Sequence, residues 1–168
     1  MTTPVKKRAT PKNKPAAGKP EIRRPKSKAR DGSWTEIRDG MRIDWDLPIT
    51  LQDGTVLRAD VYRPNRKGKF PVIMTMGPYG KGLAWQDELY ATTWELFSGD
   101  HPDAIQDSTN KYQSWETVDP ELWVRDGYAC IRVDSRGAGR SPGYLDPWSP
   151  QETDDFEECI EWGGTRAW

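Results

Sequence analysis

Ser141 is the serine whose surroundings come nearest to those of a hydrolase nucleophile. It lies in the run Gly139-Arg-Ser-Pro-Gly143, which matches the G-x-S-x-G pattern of a nucleophile elbow. In an elbow the serine occupies a tight strand-to-helix turn, and the next residue donates its backbone N–H to the oxyanion. Here the next residue is Pro142, which has no N–H, and the neighbouring strand and helix are predicted to lie several residues away. Ser141 is therefore predicted to be a turn residue.

His101 is the only histidine and falls in a loop-like run, Gly99-Asp-His-Pro-Asp103. A catalytic triad needs a base that reaches the nucleophile and is held by an acid. Nothing in the sequence brings this loop near either partner. His101 is predicted to be a surface imidazole, and a complete triad is not expected within this chain.

Asp134 and Arg136 flank Ser135 at the end of a predicted strand. A carboxylate at a strand end can accept backbone N–H groups, and an arginine can make a forked bond to it, so the pair is predicted to brace the glycine-rich turn that follows. The glycines of that turn are not spaced as in a dinucleotide-binding fingerprint. Cys130 and Cys159 make no metal-ligand spacing. No cofactor and no metal are expected.

The turn Gly77-Pro-Tyr-Gly-Lys81 follows the most apolar predicted strand, at the end where open α/β sheets place their ligand sites. Pro78 and the glycines predict a sharp turn that holds Tyr79 at the rim of the sheet. A tyrosyl hydroxyl in that position can donate a hydrogen bond to a developing oxyanion. Spacing alone fits equally well a tyrosine that packs at the end of a strand, and both interpretations stand.

The elements that would position these residues follow from periodicity and turn chemistry. Residues 43–51 alternate, which predicts a half-buried strand with one apolar side, formed by Ile43, Trp45, Leu47, Ile49 and Leu51. Pro48 favours an edge position. Asp53-Gly54 predicts a hairpin with a type I′ turn and a partner strand at 56–62. The apolar run 70–76 predicts a strand covered on both faces.

The remaining signals predict two helices around a last strand. Asp119-Pro-Glu121 is typical of a helix start, and Tyr128–Asp134 reads as a buried strand. Ser149-Pro-Gln-Glu152 predicts a capped helix that begins at Pro150 and is ended by Gly163-Gly164. Its predicted buried stripe is Phe156, Cys159 and Ile160. The order predicts an α/β fold, an antiparallel hairpin start leading into a parallel sheet whose second half is absent.

Charge separates the chain into two parts. Residues 1–30 carry eleven basic side chains and one acid, with almost nothing apolar, so residues 1–40 are predicted to be a disordered, Pro-rich tail and 41–168 a partial domain. Nonspecific binding of nucleic acid or another anion by residues 1–30 is one interpretation. The absence of aromatic residues there favours a solubilising or partner-tethering extension, or an upstream start codon, instead. No apolar run is long enough to span a membrane, and a reducing, cytoplasmic setting is expected.

Five segments, read in order, resemble the cocaine-esterase/X-Pro dipeptidyl-peptidase family of hydrolases. They are residues 51–64, 70–73, 77–80, 125–129 and 133–143. The resemblance covers about residues 44–168 and implies an α/β-hydrolase fold whose serine attacks an ester or amide carbonyl, with no cofactor. It also implies that Tyr79, by its position in the Pro-Tyr turn, supplies part of the oxyanion hole. The alternative is a non-enzymatic protein that binds an anionic partner through its tail.

The family's nucleophile, acid and histidine have no counterparts in this chain. In the family the nucleophile lies on the strand after the last helix seen here, and the acid, the histidine and a jelly-roll domain come later. The resemblance therefore implies an N-terminal portion, truncated before the nucleophile strand and inactive by itself. In such a fragment Tyr128–Asp134 is expected to be an unprotected edge strand, and the chain to be aggregation-prone or molten.

Overall fold

The computed structural model describes residues 29–86 and 90–168, so what is predicted for residues 1–28 lies outside it. The described part contains one five-stranded sheet in the order β1-β2-β3-β5-β4. Its strands are β1 (Trp34–Arg38), β2 (Met41–Thr50), β3 (Val56–Pro64), β4 (Val72–Gly77) and β5 (Ala129–Asp134), and its helices are α1 (Ala91–Asp100), α2 (Pro120–Arg125) and α3 (Pro150–Gly164). Only β4 and β5 pair in parallel. The predicted α/β architecture with an antiparallel start is confirmed.

Strand β1 lies within the range 1–40 that the sequence assigns to the tail. It pairs with β2 in antiparallel register, and Trp34 stacks on Trp45 with ring centroids 5.9 Å apart. The strand is short and its apolar residue Ile37 is exposed. Composition alone therefore does not distinguish it from a solvated segment.

Strand β2 contains an irregularity that its sequence pattern does not reveal. Its pairing with β3 breaks off after Asp44 and resumes at Leu47. In this gap Trp45 and Asp46 oppose the single residue Asp60, which makes a β-bulge. Asp46 has a positive φ of 58°, in the left-handed region that an aspartate adopts more readily than most residues.

The bulge divides β2 between two apolar clusters. Because the side-chain period of a strand is two, one extra residue moves every later side chain to the opposite face. The half before the bulge contributes to a cluster of Met41, Ile43, Trp45, Tyr62, Tyr112, Val124 and Cys130. The half after it contributes to a cluster of Ile49, Leu51, Leu57, Ala59, Val61, Ile131, Val133 and Cys159. The prediction that residues 43–51 present one continuous apolar face is therefore wrong.

The hairpin at Asp53-Gly54 is present, but its turn is not type I′. The N–H of Gly54 bonds to the carbonyl of Leu51, and the N–H of Leu51 bonds to the carbonyl of Thr55, at 3.0 and 2.9 Å. Gly54 has a φ of 85°, whereas Asp53 is not among the residues with positive φ. The connection is a three-residue loop with glycine in the left-handed position, rather than a two-residue loop.

Pro48 lies in the half of β2 that is paired on one side only. Strand β1 pairs with β2 only as far as Trp45, so the outer side of β2 beyond the bulge has no strand partner in the described part of the chain. A proline there removes no ladder hydrogen bond.

Strand β5 lies in the interior of the sheet, between β3 and β4. The expectation that Tyr128–Asp134 becomes an edge is wrong, because β3 pairs with β5 instead of with the next strand along the chain. Strand β4 follows β3 along the chain without pairing with it, and the chain returns through α1 and α2 to place β5 between the two. The edge is β4, whose residues are partly exposed throughout, so the prediction that 70–76 is covered on both faces is also wrong.

The two predicted helices are confirmed, and α1 is additional. Asp119 caps α2 and Ser149 caps α3, each accepting a backbone N–H through its side chain. In α3 the stripe differs from the prediction, since Ile160 is 50% exposed while Asp155 and Gly163 are buried. Cys130 and Cys159 are free, buried thiols. None of the described helices has the length and apolar character that crossing a membrane requires.

Candidate functional site

The turn that carries Tyr79 leaves the carboxyl end of edge strand β4. Tyr79 is 39% exposed, and its ring meets that of Trp115 edge-on, with centroids 6.2 Å apart. Beside it is a cavity of about 360 Å³ along β4, lined among others by Met74, Met76, Trp115, Thr117, Trp148 and Phe156. A cavity of this size, mostly apolar with a few polar groups, is typical of small-molecule sites.

Arg132 of β5 holds the loop that carries Trp115. Its side chain is buried beside the ring of Tyr62, and its guanidinium donates to the carbonyls of Tyr112 and Val118, at 2.6 and 2.9 Å. These bonds join the central strand to both sides of the segment 112–118. The aromatic partner of Tyr79 is thereby fixed relative to the sheet.

Beneath the turn, Lys81 reaches into the sheet. Its side chain is only 5% exposed, and its ammonium Nζ lies 3.2 Å from Asp46 Oδ1 and 3.4 Å from Asp134 Oδ2. A third carboxylate, Asp60, is 3.6 Å away. We call these four residues together with Arg58 and Arg140 the Lys81 cluster.

Asp134 joins two loops to the end of β5. Its Oδ1 accepts the backbone N–H of Lys81 at 2.6 Å, and its Oδ2 accepts that of Arg140 at 2.8 Å. A Cβ at Gly139 would lie 2.3 Å from this carboxylate, which is why glycine is required there. The predicted bracing role of Asp134 is confirmed.

Arg136 makes its forked bond elsewhere. Its Nε and Nη2 donate to the two carboxylate oxygens of Asp155 in α3, at 2.9 and 2.8 Å, and Nη2 also lies 2.9 Å from Asp53. The prediction that Arg136 pairs with Asp134 is wrong. Arg136 instead connects the turn after β5 to α3 and to the β2–β3 hairpin.

Two arginines complete the charge balance around the bulge. Arg58 Nη2 lies 3.0 Å and Arg140 Nη1 2.7 Å from Asp46 Oδ2. The N–H of Asp46 bonds to Asp60 Oδ1 at 2.8 Å. Three carboxylates and three cationic side chains therefore meet beneath the turn. The cations supply the opposite charge that buried carboxylates require.

The pKa values of Asp46 and Asp60 are shifted in opposite directions. Burial raises the pKa of Asp46, but the bonds from Arg58 and the charge of Lys81 outweigh it and lower that pKa to about 2. Burial dominates at Asp60, whose pKa is raised to about 6 despite Lys81. For Lys81 the three carboxylates outweigh burial and raise the pKa above its usual value.

Ser141 and His101 are placed as their surroundings in the sequence predict. The hydroxyl of Ser141 donates to the carbonyl of Asp134 at 2.6 Å and accepts the N–H of Arg58 at 3.0 Å. This buried hydroxyl serves two backbone groups. His101 lies exposed after α1, with its ring 5.6 Å from that of Phe97. The structure does not bring the two residues together.

The sequence singles out Tyr79 and Asp134 but not Lys81, Asp46 or Asp60. Asp46 lies at a polar position of an alternating strand, and side chains at such positions normally face solvent. Only the bulge turns its carboxylate toward the Lys81 cluster. The one available signal is a lysine that ends a Gly-Pro-Tyr-Gly turn at the edge of a sheet, and it is weak.

Comparison with known proteins adds an independent observation. Residues 53–168 match the profile of the X-Pro dipeptidyl-peptidase (S15) family. The chain is 30% identical over 125 residues to cocaine esterase from Rhodococcus sp. (strain MB1 Bresler), a match that covers 73% of this chain and 17% of the esterase.

A solved structure shows the same arrangement of elements. The crystal structure of a CocE/NonD family hydrolase from Staphylococcus aureus superimposes with a TM-score of 0.64 at 29% identity, over 83% of this chain and 25% of that hydrolase. The chain thus spans a quarter or less of the length of the relatives that it matches.

Proposed function

Because the chain belongs to the X-Pro dipeptidyl-peptidase (S15) family, we propose that it supplies the oxyanion-binding part of a serine hydrolase site for ester or peptide substrates. The family is one of hydrolases. For this chain we propose in addition a serine mechanism and an oxyanion-binding role for Tyr79. The observation that carries the proposal is the position of Tyr79, on a braced turn at the carboxyl end of β4 and beside a substrate-sized cavity.

The chemistry assigned to Tyr79 is electrostatic. When a serine attacks a carbonyl, the carbonyl oxygen becomes an anion in the tetrahedral intermediate. A hydroxyl donor fixed beforehand at that position stabilises the anion without reorganising, and loss of one such donor lowers kcat by about 10²–10³-fold. The apolar residues along the cavity are suited to the acyl or leaving group.

The nucleophile, acid and base are assigned to residues that this chain does not hold. Ser141 is committed to two backbone hydrogen bonds, and His101 is exposed on a different loop. The 168-residue chain alone is therefore expected to hydrolyse p-nitrophenyl esters no faster than a heat-treated control. Turnover that Ser141→Ala abolishes would contradict this assignment.

A chimera tests the role of Tyr79 directly. Residues 29–168, which include β1, would replace the matching segment of the Staphylococcus aureus hydrolase, and the esterase activity of the chimera would be compared with that of its Tyr79→Phe variant. We expect kcat to fall by about 10²–10³-fold with KM little changed. Tyr128→Phe, whose ring packs on Trp123, is the matched control and should retain activity. Equal activity of the Tyr79→Phe and parent chimeras would reject the oxyanion role.

A further inference from the structure

The Lys81 cluster gathers charges from distant parts of the chain. Asp46 comes from the bulge in β2, Asp60 from β3 and Asp134 from the end of β5, and all three lie within 3.6 Å of one ammonium. Lys81 itself is the last residue of the turn that carries Tyr79. The side chains of all four residues are at most 8% exposed.

Stability does not explain this arrangement. Buried ion pairs generally contribute no more stability than apolar side chains of the same volume, because desolvation offsets their attraction. The bulge adds backbone strain, since Asp46 has a φ of 58°, and strained residues concentrate at functional sites. The outcome specific to this cluster is geometric: it fixes the position of Lys81.

Lys81 is held at both of its ends. Its backbone N–H donates to Asp134 Oδ1 at 2.6 Å, and its ammonium bonds to Asp46 at 3.2 Å. At the start of the turn, the carbonyl of Gly77 accepts the N–H of Ser135 at 3.1 Å. Tyr79 lies midway between these two attachments, so its position depends on both.

We propose that Lys81 is a positioning residue for Tyr79, which holds the Gly77–Lys81 turn against the sheet so that the tyrosyl hydroxyl faces the cavity. The inference rests on the proposed oxyanion role of Tyr79. It adds a requirement to that role: the donor works only while the charge beneath it is intact.

Amide hydrogen exchange of the chain itself tests the proposal without requiring turnover. In Lys81→Met, exchange at the amides of residues 81 and 83, which bond to Asp134 and to the carbonyl of Gly80, should accelerate about tenfold or more beyond any acceleration at β5, as expected when one segment opens locally. Lys81→Arg keeps the charge and should restore part of the protection. Lys111→Met is the matched control: it removes an ion pair with Asp39 that is 26% exposed at the lysine, and it should leave exchange at residues 81 and 83 unchanged.

Two outcomes would overturn the inference. If Lys81→Met leaves exchange at residues 81 and 83 unchanged, the cluster does not hold the turn. If it accelerates the turn and β5 by the same factor, Lys81 serves global stability alone. Should Lys81→Met not fold, Asp46→Asn removes the carboxylate charge 3.2 Å from the ammonium and should give the same local effect, with the same two contrary outcomes.

In the chimera, Lys81→Met should lower kcat with KM little changed, and the double variant with Tyr79→Phe should be no slower than Tyr79→Phe alone. Additive losses would contradict action through Tyr79. If Tyr79→Phe is fully active while hydrogen exchange shows local opening, the proposed function fails and the positioning of the turn stands.

Discussion

At the residue scale, one hydroxyl forms hydrogen bonds with two backbone groups that belong to different strands. Ser141 accepts from Arg58, 83 positions earlier, and donates to the carbonyl of Asp134. The residue that best matches a nucleophile motif therefore joins the turn after β5 to the start of β3. Pro142, which has no backbone N–H to donate to an oxyanion, is the sequence feature that distinguishes Ser141 from a nucleophile.

Ser141→Ala should consequently lower stability without any effect on hydrolysis. The change leaves a buried carbonyl and a buried N–H without partners, which costs about 1–3 kcal/mol. Urea unfolding followed by circular dichroism measures the loss. Ser98→Ala, which removes a hydroxyl bonded only within α1, serves as control and should change stability by less than about 0.5 kcal/mol. Equal losses in the two variants would contradict the structural role of Ser141.

Asp60 predicts an unusual dependence of stability on pH. Its folded-state pKa of about 6 lies above the ordinary value of 3.8, so the folded protein binds the extra proton, and the stabilisation present below pH 4 is lost as pH rises through 6. The contribution is about 3 kcal/mol between pH 4 and pH 7. Asp46, with its lowered pKa of about 2, acts oppositely and loses its contribution as pH falls from 4 to 2.

Urea titrations of the parent chain and of Asp60→Asn between pH 4.5 and 7 measure this dependence. The parent should lose stability relative to the variant as pH rises, because the amide does not titrate. Parallel curves for the two proteins would show that Asp60 ionises as it does in the unfolded chain.

At the element scale, strands β2 to β5 and the capped helices α2 and α3 were predictable because their signals are local, whereas β1 and α1 were not predicted. Ser149 and Asp119 cap the helices that they predict, and β5 follows from its apolar run. The bulge was not predictable, since residues 43–51 alternate as though the strand were regular. Strand order was not predictable either, because the pairing of β3 with β5 joins segments about seventy residues apart. The Lys81 cluster depends on both of these features, which is why only Asp134 of its acids was identified.

Deletion of Asp46 should therefore destabilise the fold far more than loss of its carboxylate alone would. Without the extra residue, Leu47, Ile49 and Leu51 would turn to the opposite face or the hairpin would shift register, and either change exposes apolar side chains. We expect no cooperative thermal transition. Deletion of Lys67, in the exposed turn after β3, is the control and should leave a cooperative melt. A cooperative melt for the Asp46 deletion as well would show that β2 can repack.

At the scale of the whole molecule, the described fold begins with β1 and not at residue 41. Removal of residues 1–28 should leave the melting temperature unchanged, because that segment has almost no apolar side chains to bury. Removal of residues 1–40 also eliminates β1 and the stacking of Trp34 on Trp45, and should lower the melting temperature by several degrees. Circular dichroism melts of the two truncations separate these expectations. Equal melting temperatures for the two truncations would place the start of the folded domain at residue 41.

The Lys81 cluster also has a consequence for how quickly the protein folds and unfolds. The bonds that Lys81 and Arg140 make in this cluster join residues 35, 53 and 94 positions apart, so they require several large loops to close first. Until then the three carboxylates remain hydrated, and a transition state formed by the local β2–β3 hairpin contains none of these bonds. Loss of the cluster should accordingly speed unfolding and leave the folding rate nearly unchanged. The ion pairs beneath the Tyr79 turn would then form last during folding and break first during unfolding, so they would govern how long the folded state persists.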